Sequence, residues 1–490
     1  MFQSSHSLTV LFALSCTLSS TFSTAFSGSA SGQDQSAFES PSAEITGAEL
    51  EGHVRFLASD ELNGRRTGSE EAKLAADYIA SALGDAGVAP IGDSGTFLQR
   101  VPLVDYSFEE DPTLVVELRD GSSWTAQQGT DFRLRVNGVP DAARTLAVRS
   151  TEDVPGAADR SACALFVPGR RTEVNDWLEA QGLGRGQELG LLLTEGSKRE
   201  GRARPMRGGR LSLLPAGPDP GDQIIANGKF LAALLENQVV SVTLTANASV
   251  TDRSCQNVVG ILRGKGTAAQ PELAQEAIVI SAHYDHIGPR GEPTEGAAEE
   301  DRIFNGADDD ASGVAAVLEL AEAFAQGEAP VRTIVFLLAT GEEVGLLGTS
   351  HYLDNPAVPL EQTYYNLNVE MIGRPDDLMP GPGALWLTGW DETTLGPQLA
   401  GADQPVQRDP RPEQNFYQRS DNIAFVRRGI MGQTLSSYGM HDDYHHASDE
   451  TDTLDFAHME LATNNILTVA RALAIDGMQV SWKQAAETDK

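Results

Sequence analysis

Thr333-Ile-Val-Phe-Leu-Leu-Ala339 carries no charge and no break across its length, and it runs directly into Thr340-Gly341-Glu342-Glu343. An apolar run of strand length without alternation is what a strand covered on both faces requires, and such strands belong to parallel sheets flanked by helices. Neighbouring stretches read the same way. Val258 to Leu262, Ala277 to Ile280 and Tyr365 to Val369 have strand length, and Val314, Val317, Leu318, Ala321 and Phe324 mark a helix ending at Gly327. Alternating strand and helix predicts an α/β fold with a mostly parallel central sheet and helices on both faces.

Ligands of such sheets bind beyond the carboxyl ends of the strands. There the apolar runs meet polar groups of one kind: His283, Asp285 and His286 after Ala277 to Ile280, Glu342 and Glu343 after Thr333 to Ala339, Glu370 after Tyr365 to Val369. Ile303-Phe304-Asn305-Gly306-Ala307-Asp308-Asp309-Asp310-Ala311-Ser312-Gly313 sets three carboxylates in front of a helix start, and Asp443-Tyr444-His445-His446 follows later. A solvated loop explains one acidic run. Five clusters at the ends of apolar runs point instead to a multivalent cation. Imidazole with carboxylate is a zinc ligand set, whereas calcium sites use oxygen alone.

The order His283-Tyr-Asp285, Gly306 through Gly313, Gly341-Glu342-Glu343, Asn368-Val-Glu370-Met-Ile-Gly373, then Tyr444-His445 with Asp449 resembles the co-catalytic dizinc aminopeptidases. That family also holds glutamate carboxypeptidase, glutaminyl cyclases and the non-enzymatic transferrin receptor. The resemblance covers about Leu50 to Gln99 and Asn257 to Ala474, and it implies a zinc exopeptidase fold. It further implies one zinc on His283 and Glu370, a second on Glu343 and His445 with His446 as the alternative, and Asp309 bridging both. Asp285 would orient His283 through its free ring nitrogen. Asp310 would follow Asp309 across a cis peptide, and Asp308 would be an ordinary loop residue. Glu342 is the implied general base, and Tyr444 the implied donor to a developing oxyanion. Asn422 stands where many members have His, in a region expected to border the substrate pocket.

The implied activity is hydrolysis of N-terminal residues from peptides by an enzyme carrying two zinc ions. A carboxypeptidase is the alternative, for which Arg374, Arg411 and Arg419 are the basic residues to place. A non-catalytic binding protein that keeps the fold is the second alternative. The formal net charge of -34 over 490 residues argues against nucleic acid or an anionic membrane as partner. Residues 1–30 read as a signal peptide: Leu8 to Ser15 is apolar but too short to span a bilayer, and small residues follow near Ala25 and Ala30. The expected location is therefore secreted or periplasmic, with a lipid anchor at Cys16 the lesser option. Residues 31–44 read as a flexible leader, 45–100 and 249–480 as the peptidase domain, and 481–490 as a tail. Residues 101–248 read as a β-rich inserted domain, similar to the protease-associated domain found at this place in many members. Short β-like runs carry that reading: Leu114 to Leu118, Thr145 to Val148, Ala164 to Val167, Leu189 to Leu193 and Val240 to Leu244. Cys163 and Cys255 are left beyond the leader, able to pair or to stay as separate buried thiols.

Overall fold

The computed structural model describes residues 45–108, 110–135, 143–169, 171–183, 189–196, 210–213, 223–246, 248–290, 301–402 and 404–483. The expected signal peptide, leader, Cys16 and the Arg-rich stretch Gly201 to Gly209 lie outside them. In chain order the central sheet comprises β1 (Ala89–Pro90), β2 (Leu98–Val101), β3 (Cys255–Leu262), β4 (Ala277–His283), β5 (Thr333–Ala339), β6 (Thr363–Val369), β7 (Leu385–Leu387), β8 (Val406–Arg408) and β9 (Met431–Ser436). In space the order is β1-β3-β5-β4-β6-β9-β7-β8, with β2 also paired to β3. The pairs β5-β4, β4-β6 and β6-β9 are parallel, and antiparallel partners close both sides.

Both faces of this sheet are covered, which is why β4 and β5 are buried at every position. On one face α1 (Gly47–Leu57), α2 (Glu70–Asp85), α3 (Gly313–Gln326) and the long α5 (Phe456–Ala474) pack against Ile278, Ile280, Phe336, Leu338, Tyr365 and Leu367. On the other, Val279, Val335 and Leu337 meet Tyr352 and Leu353 of α4 (Leu347–Asp354) together with Phe425. Full burial of each such side chain stabilises by about 1.5–3 kcal/mol.

Ser69 caps α2 by accepting a hydrogen bond from the Ala72 amide at 3.1 Å. The buried face of α2 is Ala72, Ala75, Ala76, Ile79 and Leu83. Leu74 is 54% exposed, although the sequence pattern assigns it to that face. The reason is angular: at about 100° per residue, position 74 is turned well away from 76, 79 and 83. The helix also runs through Gly84 to Asp85, and the left-handed Gly87 (φ +91°) lies just beyond it.

Between β2 and β3 the chain builds two further sheets, one of three strands (Leu103–Phe108, Arg210–Leu213, Ala248–Asp252) and one of eight. Thr113–Leu118, Arg144–Ser150, Cys163–Val167, Leu191–Glu195 and Val239–Thr245 belong to the second, the fourth starting two residues later than its apolar run predicts. Leu114, Val116, Phe132, Phe166, Leu193 and Leu244 form an apolar cluster of their own there. Cys163 and Cys255 are both free and buried, so the separate-thiol alternative holds. No described helix is long and apolar enough to cross a membrane.

Candidate metal centre

Parallel pairing aligns the strand ends. His283 faces Ala339 across β4-β5, Ser281 faces Asn368 across β4-β6, and Val369 faces Leu435 across β6-β9. The residues after each strand therefore open on one spot, and the turn before α3 brings the acidic triplet to it.

His283 Nε2 lies 3.2 Å from Asp309 Oδ1. Asp309 Oδ2 is 3.1 Å from His445 Nε2 and 3.9 Å from His286 Nδ1. Glu343 Oε1 is 2.8 Å from His286 Nδ1 and 3.3 Å from His445 Nε2. Two groups result, each with donor atoms within 4.8 Å of one another: His283, Asp309 and Glu370, and His286, Asp309 and Glu343. Asp309 is common to both. His283 Nε2, both ring nitrogens of His286 and Glu343 Oε1 are buried without a hydrogen-bond partner among the described residues. An unpaired buried polar atom costs about 1–3 kcal/mol. Lone pairs turned inward on imidazole and carboxylate are what a zinc ion needs, so these residues fit the metal.

The electrostatics are those of a crowded acidic site. Burial would raise the Asp309 carboxyl, but contact with His283 and His445 holds it well below the usual carboxylate range. Burial would lower the His445 imidazole, yet Asp309 and Glu343 raise it to about 9. Glu370 rises to about 8 through burial, with Asp309, Asp421 and Glu343 adding to the shift and His283 opposing it. Glu342, which belongs to neither group, is pushed well above its ordinary value by burial and by Glu370, Asp421 and Glu343, against His283.

Surrounding residues hold the donors in place, in several respects differently from the sequence expectation. The Asp309–Asp310 peptide is cis, as the resemblance implies. Asp310 itself accepts from the amides of His283 (3.3 Å), Gly313 (3.1 Å) and Met371 (2.9 Å), tying together three segments that carry site residues. His283 Nδ1 meets the backbone oxygen of Asp285 at 3.1 Å, while the Asp285 carboxylate stands 3.8 Å off. That carboxylate is occupied by the Thr67 hydroxyl at 2.6 Å and the Glu342 amide at 3.1 Å, so Asp285 positions His283 through its main chain. Asp308 is no ordinary loop residue. It is buried, pairs with His441 at 2.8 Å and accepts from the Gly373 amide at 2.8 Å. Asp449 receives the amides of Asp308 and Asp309.

Three residues of the site escape the sequence reading. His286 sits in the strand-end cluster that the sequence marks, but only the fold turns it onto Glu343. Arg65, fully buried, donates to the backbone oxygens of Tyr284 (2.8 Å), Asn305 (2.6 Å) and Gly306 (3.0 Å), and so links the β4 end to the turn before Asp309. Ser420 donates to Glu370. Gly306 (φ +60°) has no room for a Cβ, which would run into Asp309 O and the His286 ring. His446 is exposed and bonds to Tyr444 O at 2.9 Å, leaving His445 as the imidazole that meets the acids.

Beside Glu370 a pocket, partly open to solvent, is walled by Met371, Trp386, Phe416, Tyr438 and Tyr444. Its aromatic rings form a chain that reaches the metal donors: Trp386 stacks on Phe416 (5.1 Å between centroids), Tyr438 lies between Phe416 and Tyr444, and Tyr444 stacks on His445 at 3.9 Å. Asn422 lies buried behind this wall, accepting from the hydroxyl of the pocket residue Thr434 at 3.0 Å. Arg374 is tied to Asp443 and Asp449, and Arg411 to Asp376. Arg419 lines the pocket.

Residues 257–470, which carry every donor just described, match the model of peptidase family M28. Over these residues the chain is similar to peptidase family M28. The chain is also similar to curated proteins over parts of its length. The chain is 32% identical over 192 residues to a vacuolar membrane protease of Lachancea thermotolerans, covering 38% of this chain and 17% of that protein. It is 28% identical over 142 residues to the aminopeptidase YwaD of Bacillus subtilis, covering 29% and 26%. The matched part thus spans about a quarter or less of the length of these two relatives. Among solved structures, an aminopeptidase from Aneurinibacillus sp. strain AM-1 superposes with a TM-score of 0.50 at 18% identity, over 88% of this chain and 94% of that one. That likeness is one of fold.

Proposed function

We infer that this M28-like chain is a zinc-dependent exopeptidase holding two metal ions, and that it acts as an aminopeptidase on peptide substrates. The observation that carries the reading is the pair of donor groups sharing Asp309, with a further carboxylate, Glu342, beside them and committed to neither. His283 and Glu370 would hold one ion and Glu343 and His445 the other, with His286 either a further donor to the second ion or the partner that orients Glu343. Bound zinc supplies Lewis acidity and lowers the pKa of a coordinated water to about 7.

Glu342 takes a proton at its carboxylate and delivers it to the departing amine. A carboxylate that holds no metal is free to accept a proton and pass it on. Tyr444, packed against His445, donates its hydroxyl to oxygen as negative charge develops there. Glu342, a carboxylate beyond the two donor groups, favours a substrate that brings a free ammonium, which supports attack at the N-terminal end.

Residues 101–248 form an inserted protease-associated-like domain in this reading, acting as lid or spacer and supported by their own sheets and apolar cluster. Export belongs to the same proposal, and N-terminal sequencing of the mature protein tests it.

The decisive experiment pairs metal analysis with kinetics. Purified protein is expected to contain about two zinc ions and to hydrolyse N-free but not N-blocked peptides. Glu342→Gln should retain the metal and lose on the order of 10²–10⁴-fold in kcat. Full activity in that variant would remove Glu342 from the chemistry.

A further inference from the structure

Three arginines could meet a substrate carboxylate, and their surroundings divide them. Arg374 sits 2.5 Å from Asp443 and 3.1 Å from Asp449, and it also donates to Thr453. Arg411 grips both oxygens of the buried Asp376 and reaches Gly439 O. Both are internal braces with their charge already met. Arg419 has no carboxylate within ion-pair distance among the described residues. It is exposed, lines the pocket beside Glu370, and lays its guanidinium carbon 5.0 Å from the centre of the Phe416 ring.

The location gives this free charge a meaning. Arg419 immediately precedes Ser420, which bonds Glu370, so its backbone is anchored at the metal end of the pocket. The guanidinium lies over the Phe416 ring, and with no acid paired to it among the described residues its fork of donors can take a carboxylate through two parallel hydrogen bonds. The same guanidinium acts electrostatically on the Tyr438 and Tyr444 phenols, so its charge is felt inside the cavity. The remaining titratable group lining that pocket is acidic: Glu370 at the metal end. An anionic substrate group would be repelled by this acid-rich protein unless one cation received it.

We propose that Arg419 is a specificity-determining residue that receives a carboxylate of the peptide substrate, so that the pocket takes a flat or aliphatic stem along Phe416 and Trp386 with an anionic end. The inference rests on the exopeptidase reading above and adds the substrate class. The carboxylate has two possible sources, an acidic side chain next to the scissile bond or the C-terminus of a very short peptide. Both present the same chemistry to Arg419.

The test compares zinc-loaded wild type, Arg419→Gln and Arg419→Lys. One arm measures kcat/KM for N-terminal Glu against N-terminal Gln nitroanilides, and a second measures an Ala-Phe dipeptide against its C-terminal amide. One of the two acid-to-amide ratios should fall by about ten- to a hundredfold in Arg419→Gln, mainly through KM, with partial recovery in Arg419→Lys. Which ratio falls identifies the source of the carboxylate. A change of less than about twofold in both ratios overturns the proposal. Calorimetric binding of L-glutamate against L-glutamine, and of N-acetyl-phenylalanine against its amide, neither of which offers a free N-terminal residue to release, to the same three proteins gives the answer without turnover: a difference that depends on Arg419 supports the site, and its absence sinks it. Absence of hydrolysis for every peptide with Arg419-dependent binding intact would instead defeat the exopeptidase reading alone.

Discussion

Asp309 takes its position from residues that do not share its role. Asp449 receives its amide, Arg65 fastens the turn just before it, and Asp310 spans from the β4 end to the segment after β6. Groups of this kind tune affinity without joining the donor set, and losing one typically costs 10–100-fold in metal binding. Asp310→Ala should therefore weaken zinc binding by about that factor in a competition titration with a chelator. Asp310→Asn, which keeps one acceptor oxygen, should lose less. A separate outcome belongs to Glu450. Burial, with Asp301, Asp60 and Asp449 nearby, raises its carboxyl to about 7 despite a 2.9 Å hydrogen bond from Asn305. The folded state then holds a proton that the unfolded chain gives up near 4.5, so stability falls as pH rises from about 4.5 to 7 and the cost is complete above 7. Glu450→Gln should raise stability at pH 8 by about 1–2 kcal/mol, the full shift being discounted for partial exposure, and change little at pH 4. Urea melts at the two pH values measure it.

At the scale of elements, unbroken apolar runs were readable because burial on both faces leaves no polar position to disguise them. Every residue of β5 is buried, and Leu337 packs among Val279, Val335 and Phe425. Leu337→Ala should cost about 2–5 kcal/mol. Leu74→Ala, on the exposed side of α2, should stay within about 0.5 kcal/mol of the parent. Ser69→Ala removes the α2 cap and should cost about 1 kcal/mol. Denaturant midpoints at constant slope would rank the three. Leu74 is as apolar as its buried neighbours, and composition alone does not set the angle at which it leaves the helix. The Ser69 cap is legible locally, since a hydroxyl before two acids has a local reason to be there.

For the whole molecule, charge and metal act together. The site gathers Asp309, Glu342, Glu343 and Glu370 in a protein of net charge -34, and bound divalent cations would offset that repulsion. Chelation should lower the melting temperature as well as abolish turnover. Added zinc should restore it in a concentration-dependent way, by about 2.7 kcal/mol when free metal reaches a hundred times Kd. Calorimetry with and without chelator checks this independently of activity. Zinc that leaves the transition unmoved would count against the donor set.

The sequence by itself determined the α/β class, four of the nine strands that form the sheet, and the clusters in which the donors lie. Those features depend on local pattern: buried strands must be apolar throughout, and cation ligands must be acids or imidazoles. The tertiary structure decided what pattern cannot express. Packing turned His286 onto Glu343, His445 rather than His446 toward the acids, and Arg419 rather than Arg374 or Arg411 into the pocket. It also made Asp308 and Arg65 buried ties and let Asp285 work through its main chain. Each choice hangs on partners far away in the chain, such as Asp308 with His441 or Arg65 with Asn305. The direction of a side chain follows from the contacts available after folding, and residue type alone does not contain them.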